Sequence, residues 1–129
     1  MAINILIVDD SKIMRTMILK TLQMTGISMG EIFEAGNGRE GLDSLEQNWI
    51  DLAIVDINMP VMNGEEMIDR IRENPEMQDL PVVVVSTEGS ETRIARLKEK
   101  GAVFIHKPFE AETIRDTIVN LLKLEAGDE

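Results

Sequence analysis

Polar side chains that could perform chemistry follow four short apolar segments of the chain. Asp9 and Asp10 follow "ILIV", Asp56 follows "LAIV", Ser86 ends "VVVVS", and Lys107 follows "VFIH". Three carboxylates, in a chain without cysteine, provide a hard, anionic set of oxygen ligands that suits Mg²⁺ better than zinc. The aspartates therefore predict a Mg²⁺ site.

The serine and the lysine indicate what would complete the shell of that cation. Lys107 supplies a positive charge and Ser86 a hydroxyl donor, and both suit the oxygens of a phosphoryl group. The chain has no G-x-x-x-x-G-K-[ST] loop to hold a nucleotide, so we expect the phosphoryl group on the protein itself. Asp56, after the central strand, is the expected nucleophile. Taken singly, each residue has an ordinary explanation, such as a helix cap, a turn former or a solvated charge.

Apolar runs alternate with helix-period segments along the chain, and this alternation predicts an α/β fold. The predicted strands are 4–8, 31–35, 52–56, 81–86 and 103–105. The predicted helices are 12–25, 38–48, 64–73, 91–100 and 110–124. The third and fourth strands are apolar on both faces, as central strands of a parallel sheet are.

Strict alternation of strand and helix predicts an open parallel sheet with helices on both faces. Such sheets bind ligands in the crevice at the carboxyl ends of their strands. The aspartates, the serine and the lysine all follow or end strands, so we expect them to share one crevice.

Length and charge narrow the class of protein further. At 129 residues we expect one domain, 1–129, with its core at about 3–124. The absence of cysteine agrees with a reducing compartment, and we predict a cytoplasmic protein without a membrane span. Thirteen basic against 24 acidic residues give a net charge of -11, which opposes binding to nucleic acid or to anionic membranes.

Four ordered motifs, "ILIVDDS", "LAIVDINMPVMNG", "VVVVSTEG" and "HKPF", resemble the receiver domain of two-component response regulators, specifically the single-domain chemotaxis type. The resemblance extends over about 3–124. It implies a flavodoxin-like, doubly wound sheet of five parallel strands in the order 2-1-3-4-5, with five helices. It also implies that a sensor histidine kinase donates a phosphoryl group to Asp56.

The resemblance further assigns roles to single residues. Ser86 and Lys107 would contact the phosphoryl group, Lys107–Pro108 would be a cis peptide, and Ser86 and Phe104 would switch together. Thr87 departs from the Ala or Gly usual in the family, and a β-branched side chain there would narrow access for attacking water. The implied ligands of Mg²⁺ are Asp9, Asp10, Asp56 and the backbone carbonyl of Asn58.

The fourth predicted helix carries a basic cluster on this acidic chain, and the fifth strand beside it carries Phe104. The resemblance implies that phosphorylation is read at the face built from helix 4, strand 5 and helix 5. We expect the reader to be a separate output protein that presents an acidic or amphipathic helical segment. An ordinary solvated helix face is the alternative. The basic residues are Arg93, Arg96, Lys98 and Lys100.

Two competing interpretations remain. "GNGREG" at 36–41 matches a dinucleotide fingerprint with Asp56 about 20 residues beyond it, but the polar strand before it suits a sheet edge, and we interpret the glycines as a turn and a helix start.

The alternative to a switch is a Mg²⁺-dependent phosphohydrolase with Asp56 as nucleophile. Asn58 stands where that enzyme would need an acid/base aspartate, so we expect a phosphoacceptor and not an enzyme. His106, the lone imidazole, is expected to be an ordinary strand-end residue.

Overall fold

The structure is a computed structural model that describes residues 2–123, in which five strands alternate with five helices. The strands are β1 (Ile3–Val8), β2 (Met29–Ala35), β3 (Leu52–Val55), β4 (Val82–Ser86) and β5 (Val103–His106). The helices are α1 (Lys12–Gln23), α2 (Gly38–Gln47), α3 (Gly64–Glu73), α4 (Glu91–Glu99) and α5 (Ala111–Leu122). All strand pairs are parallel, in the order β2-β1-β3-β4-β5. The flavodoxin-like topology is thereby confirmed.

Helices cover both faces of the sheet and bury two apolar layers. On one face, α2, α3 and α4 pack on β1, β3 and β4 through residues such as Met67, Ile71 and Leu97. On the other face, α1 and α5 pack through Ile18 and Ile114. Every residue of β3 and β4 is buried, because helices cover both faces of these two strands. The two-faced apolar pattern predicted this correctly.

Four helices begin at a residue whose side chain accepts a backbone N–H of the first turn. Such a cap satisfies a donor that the helix itself leaves unpaired. In α3 the cap is reciprocal, because the Glu66 carboxylate also accepts the N–H of Asn63. The four capping residues are Ser11, Asn37, Asn63 and Ser90.

The predicted element boundaries hold to within two residues. The first helix ends at Gln23, two residues before its predicted end, and Gly26 beyond it has a φ of +81°. The second strand starts at Met29, two residues early, because it extends its pairing with β1. The last helix ends at Leu122, and the predicted end at residue 124 lies outside the described residues. Among residues 2–123, no helix has both the length and the apolar character needed to span a membrane.

The loop between β3 and α3 contains a tight turn centred on Val61. The Met62 N–H donates to the Pro60 carbonyl oxygen at 2.7 Å, and Val61 has a φ of +66° with its side chain 81% exposed. A β-branched residue in the left-handed region is strained. The exposed side chain gains little from packing that could offset this strain.

We expect Val61→Asn to stabilise the protein. Asparagine tolerates the left-handed region, so the variant should gain about 1 kcal/mol in free energy of unfolding. Urea denaturation measures the gain. Val61→Ala is the control, because alanine lacks the side-chain amide through which asparagine can form a local hydrogen bond at positive φ. Equal stability of the asparagine and alanine variants would contradict the assignment of strain to Val61.

Candidate functional site

Backbone hydrogen bonds continue past the strand ends and fix three of the predicted residues. Asp9 donates its N–H to the last residue of β2 (3.1 Å), Asp56 to the last residue of β1 (2.9 Å), and Lys107 to the last residue of β4 (2.9 Å). The parallel ladder thus reaches one residue into each loop. These three side chains are therefore held by the sheet itself, at its carboxyl edge.

The structure brings the three aspartates together. Asp9, Asp10 and Asp56 each place a carboxylate oxygen within 4.8 Å of the others. The Lys107 Nζ lies 3.4 Å from Asp9 Oδ2 and 3.7 Å from Asp56 Oδ1. Lys107 therefore faces two carboxylates at once, while Asp10 stays exposed. An all-oxygen, anionic and partly open cluster fits Mg²⁺.

Asp9 is the most enclosed of the three aspartates. Its side chain is 3% exposed, and its Oδ1 accepts the N–H of Ser11 at 2.8 Å. Arg15 Nη1 donates to the Asp9 carbonyl oxygen at 2.6 Å, while Arg15 Nε donates to Glu34 at 2.8 Å. Sequence reasoning missed Arg15, because a basic residue on a helix gives no signal of a contact with the preceding loop.

The Asp56 carboxyl is the group that the site perturbs. Burial raises the pKa of Asp56 above its ordinary value, and the negative charges of Asp9 and Asp10 raise it further, while Lys107 opposes the rise. The surroundings of Asp56 therefore disfavour its ionised form relative to its protonated form. A bound cation would relieve this cost.

A glycine lets α3 begin directly beneath Asp56. The Gly64 N–H donates to the Ile57 carbonyl oxygen at 2.8 Å. A Cβ at Gly64 would lie 3.0 Å from the Asp56 carbonyl carbon and closer still to its oxygen, so any side chain would displace the backbone of Asp56. In the "NG" of the β3–α3 loop, Asn63 therefore caps α3 and Gly64 allows the close approach of α3 to Asp56.

Ser86 lies at the same edge of the sheet and is buried. Its hydroxyl oxygen accepts the Glu88 N–H at 3.1 Å, which leaves its own proton available for donation. Within residues 2–123, no hydrogen bond joins Ser86 to the three carboxylates. Thr87 is exposed, and its predicted effect on access of water stays a prediction.

Arg93 joins the two loops that flank the cluster. Its Nη1 lies 3.0 Å from Glu88 Oε1 and 3.5 Å from Asn58 Oδ1. Sequence reasoning treated Arg93 as part of a basic helix face and did not anticipate this bridge. The side chain of Asn58, two residues beyond Asp56, is thus linked to the start of α4.

The predicted features of β5 are present. Lys107–Pro108 is cis, as the resemblance implied. Phe104 is half-buried against the α2–α4 face of the sheet, and its ring centroid lies 4.6 Å from that of His106 at an interplanar angle of 69°. This edge-to-face contact was not predicted. His106 is exposed at the end of its strand.

Two of the four basic residues of the α4 cluster, Arg96 and Lys100, pair with acidic residues of α3. Arg96 Nε and Nη2 each lie 3.0 Å from a Glu65 oxygen. Lys100 Nζ lies 2.9 Å from Glu65 and 2.8 Å from Asp69. The α4 surface therefore carries less uncompensated positive charge than its sequence indicates.

The same pairing predicts an acid-dependent loss of stability. Hydrogen bonds from Arg96, then from Lys100, lower the pKa of Glu65 from 4.5 to about 2. A carboxyl whose pKa is lower in the folded state stabilises the fold above its unfolded pKa, and the contribution disappears as pH falls through the folded pKa. We therefore expect Glu65→Gln to lower the melting temperature at neutral pH.

Melting curves of wild type and Glu65→Gln between neutral and strongly acid pH measure this effect. The two midpoints should converge as pH falls from 4.5 to about 2, and 1 M salt should narrow their difference at neutral pH. Glu66→Gln is not a suitable control because Glu66 caps α3; Glu73→Gln, at the exposed end of the helix, is. A difference that is independent of pH would contradict the ionic account.

The glycine motif at 36–41 forms a turn and a helix start, as interpreted from the sequence. Asn37 caps α2, and the Gly38 N–H donates to the Met62 carbonyl oxygen at 2.9 Å. A Cβ at Gly38 would lie 2.8 Å from that oxygen. The glycine is thus explained by packing against the β3–α3 loop, without a dinucleotide.

Comparison with known proteins gives one consistent result. The family model described as "response regulator receiver domain" matches residues 5–119. A chemotaxis protein CheY homolog of Campylobacter jejuni is 32% identical over 127 residues, which is 97% of this chain and 96% of that protein. CheY1 of Helicobacter pylori is 30% identical over 117 residues, 89% of this chain and 93% of the relative.

A solved structure agrees in fold and in sequence. The chemotaxis protein CheY4 of Vibrio cholerae superposes with a TM-score of 0.81 at 34% identity, over 94% of this chain and 99% of that one. The residues that the family model matches include Asp9, Asp10, Asp56 and Lys107. This chain belongs to the response regulator receiver domain family.

Proposed function

We propose that this receiver domain is a phosphorylation-driven switch. It accepts a phosphoryl group on Asp56 from a sensor histidine kinase and then changes its affinity for a separate output protein. The observation that carries the proposal is the cluster of Asp9, Asp10 and Asp56, with Lys107 lying between two of the carboxylates. The relatives from chemotaxis support a chemotaxis-like pathway. The cytoplasmic location predicted from the sequence stays a prediction.

The chemistry follows from the available groups. An Asp56 carboxylate oxygen bonds to phosphorus while the bond from phosphorus to the donor imidazole nitrogen breaks, so the product is an acyl phosphate and a free imidazole. Mg²⁺, bound by Asp9, Asp10, Asp56 and the Asn58 carbonyl, would supply positive charge that offsets the negative charge brought together in this step. Lys107 neutralises part of the same charge.

Related proteins support the roles of a metal and of a partner. A solved complex from Borrelia burgdorferi is described as CheX–CheY with BeF₃ and Mg²⁺, and its matching chain superposes with a TM-score of 0.83 at 26% identity. The superposition covers 93% of this chain and 89% of the matching chain. By this likeness we propose Mg²⁺ as the cofactor and a protein as the receiver of the signal.

The switch itself would use Ser86 and Phe104. The Ser86 hydroxyl has a proton to donate, and turning toward a phosphoryl group on Asp56 would break its bond from the Glu88 N–H. Phe104, half-buried beside β4, would move into the released space. The α4–β5–α5 face would thereby change shape, and a population shift of this kind needs differential contacts of only a few kcal/mol.

Incubation with acetyl phosphate and Mg²⁺ tests the proposal. A switch should gain one phosphoryl group, seen by intact mass, and release phosphate no faster than that group decays. A phosphohydrolase would instead release many equivalents of phosphate with each substrate offered. Multiple turnover that persists with an unrelated phosphomonoester would overturn the switch in favour of the enzyme.

A further inference from the structure

A groove lies at the amino ends of the strands, at the opposite edge of the sheet from Asp56. It encloses about 460 Å³ between the end of α2, the start of β3 and the segment joining α3 to β4. Its floor is apolar. The main apolar lining residues are Leu45, Ile50, Met77, Leu80 and Leu122.

Trp49 lies at the rim of this groove and is 79% exposed. Its indole N–H donates to Asp51 Oδ1 at 3.1 Å, and its carbonyl oxygen accepts a bond from Asn4 Nδ2 at 2.9 Å. The side chain is therefore tethered although most of its surface contacts solvent. A tethered, exposed tryptophan is the kind of residue that contributes most to a protein interface.

The segment beneath the groove is also fixed in place. Arg72 Nη1 donates to the carbonyl oxygens of Gln78 (2.9 Å) and Leu80 (2.7 Å), and its Nε donates to that of Lys100 (2.7 Å). Because two of these bonds hold the second half of the α3–β4 segment to α3, little ordering of that part would be required when a ligand binds.

The charged residues that line the groove all carry the same sign. They are Asp51, Glu76 and Asp79, and among residues 2–123 no lysine or arginine lines the groove. Arg72, which lies outside the lining, offsets part of the charge of Asp79. Asp51 is bound by the neutral donors of Trp49 and of the Asn4 backbone, so its charge is not cancelled by them. An apolar floor with an acidic rim is complementary to an apolar segment that carries positive charge.

Charge repulsion makes a second copy of this chain a poor occupant of the groove. The chain has a net charge of -11, and two copies that approach each other through acidic rims would repel. A cationic partner would instead be attracted over a long range.

We propose that the groove rimmed by Trp49, Asp51 and Asp79 binds a cationic amphipathic segment of another protein, at a surface separate from the Asp56 site. The segment presents apolar side chains to the floor and lysine or arginine side chains to the rim. Since the groove lies at the far edge of the sheet from the phosphorylation site, the domain can be anchored through it while Asp56 and the α4–β5–α5 face remain accessible.

Trp49 is the only tryptophan in the chain, so its fluorescence reports occupancy directly. The probe is a synthetic helix of roughly 18 residues, with leucine on one face and lysine on the other, and the matched peptide has glutamate in place of lysine. In 0.15 M salt, the lysine peptide should shift the emission to shorter wavelength saturably, and the glutamate peptide should not. Equal responses, or no response to the lysine peptide, would overturn the proposal.

Two charge-reversal variants show where the peptide binds. Glu76→Lys/Asp79→Lys changes the groove rim, and Glu91→Lys/Glu112→Lys makes the same change in net charge at exposed first-turn positions of α4 and α5. The rim variant should bind at least about tenfold more weakly and the control within about twofold of wild type. Equal weakening would indicate nonspecific attraction and overturn the proposal.

Sedimentation of the protein alone tests the other occupant. A concentration-dependent dimer that Trp49→Ser dissociates would place a second copy in the groove, contrary to the proposal. A monomer agrees with it. Melting curves confirm that each variant is folded, and labelling of Asp56 by acetyl phosphate, which does not depend on the groove, distinguishes failure here from failure of the proposed function.

Discussion

Asp56→Asn should reduce phosphorylation by acetyl phosphate and Mg²⁺ to background, the largest effect expected of any single substitution here. The amide has no anionic oxygen to attack phosphorus, yet it has nearly the same volume and leaves the packing of α3 beneath Asp56 intact. Asp9 is too enclosed to replace it, with a side chain 3% exposed and bound to Ser11 and Lys107. Among residues 2–123, exposed Asp10 is the carboxylate of the cluster that could be labelled in its place.

The same variant should be more stable than wild type in the absence of metal. Burial, with the charges of Asp9 and Asp10, raises the pKa of Asp56 in the folded protein. A carboxyl whose folded pKa is raised costs stability at a pH above that pKa, where it must be ionised, and costs none below its unfolded pKa. The asparagine variant should therefore melt higher than wild type at neutral pH, and the difference should vanish in acid.

Intact mass after incubation and melting curves in chelator measure the two effects. Asp43→Asn, an exposed aspartate of α2, is the matched control and should be labelled like wild type with an unchanged midpoint. A full phosphoryl label on Asp56→Asn would refute the assignment of the acceptor. A lower midpoint at neutral pH would refute the electrostatic cost.

The fold could be predicted because each element carries its own local signal. The run "VVVV" of β4 is apolar on both faces. Such a pattern is typical of a strand that helices cover on both sides. Polar β2 was expected at a sheet edge and lies there. The carboxyl-edge rule then placed Asp9, Asp56 and Lys107 together without any knowledge of distances.

Features that depend on contacts between distant segments were missed. The pairing of Arg96 and Lys100 with Glu65 joins residues 31 and 35 positions apart, and nothing in either helix alone indicates which charged face meets the other. Arg93 was predicted only as part of a basic helix face, and the contact of Arg15 with the Asp9 carbonyl oxygen was not predicted. Long, flexible basic side chains reach partners that periodicity does not specify, whereas short aspartate side chains stay where the strand ends place them.

Asp10→Asn should remove at least about half of the stabilisation that Mg²⁺ gives. A ligand that binds only the folded state adds about 2.7 kcal/mol at 100 times its Kd, roughly a 10 °C rise in melting temperature for a domain of this size. Asp10 is the most open of the three carboxylates. Its loss leaves the charges of Asp9 and Asp56 for the cation, and both of these carboxylates also face Lys107. We expect affinity to fall at least roughly tenfold, because affinity for hard cations follows the charge of the ligand set.

Melting curves with and without Mg²⁺ and with excess chelator measure this effect, and Asp43→Asn again serves as the control. In the absence of metal, Asp10→Asn should gain less stability than Asp56→Asn, because solvent screens the exposed Asp10 while Asp56 is mostly buried, with a side chain 13% exposed. A larger gain for Asp10→Asn would show that Asp10, and not Asp56, bears most of the electrostatic cost of the cluster, contrary to this prediction.

The response to Mg²⁺ should also depend on pH in a stated direction. Because the pKa of Asp56 is raised, protons compete with the cation for this carboxylate at a higher pH than for an ordinary aspartate. The Mg²⁺-induced rise in melting temperature should therefore shrink as the solution is acidified. Asp56→Asn has no carboxyl at this position to take up a proton, so this part of the pH dependence of Mg²⁺ binding should be absent. A Mg²⁺ response that is equally pH-dependent in the variant would show that Asp56 does not govern metal binding.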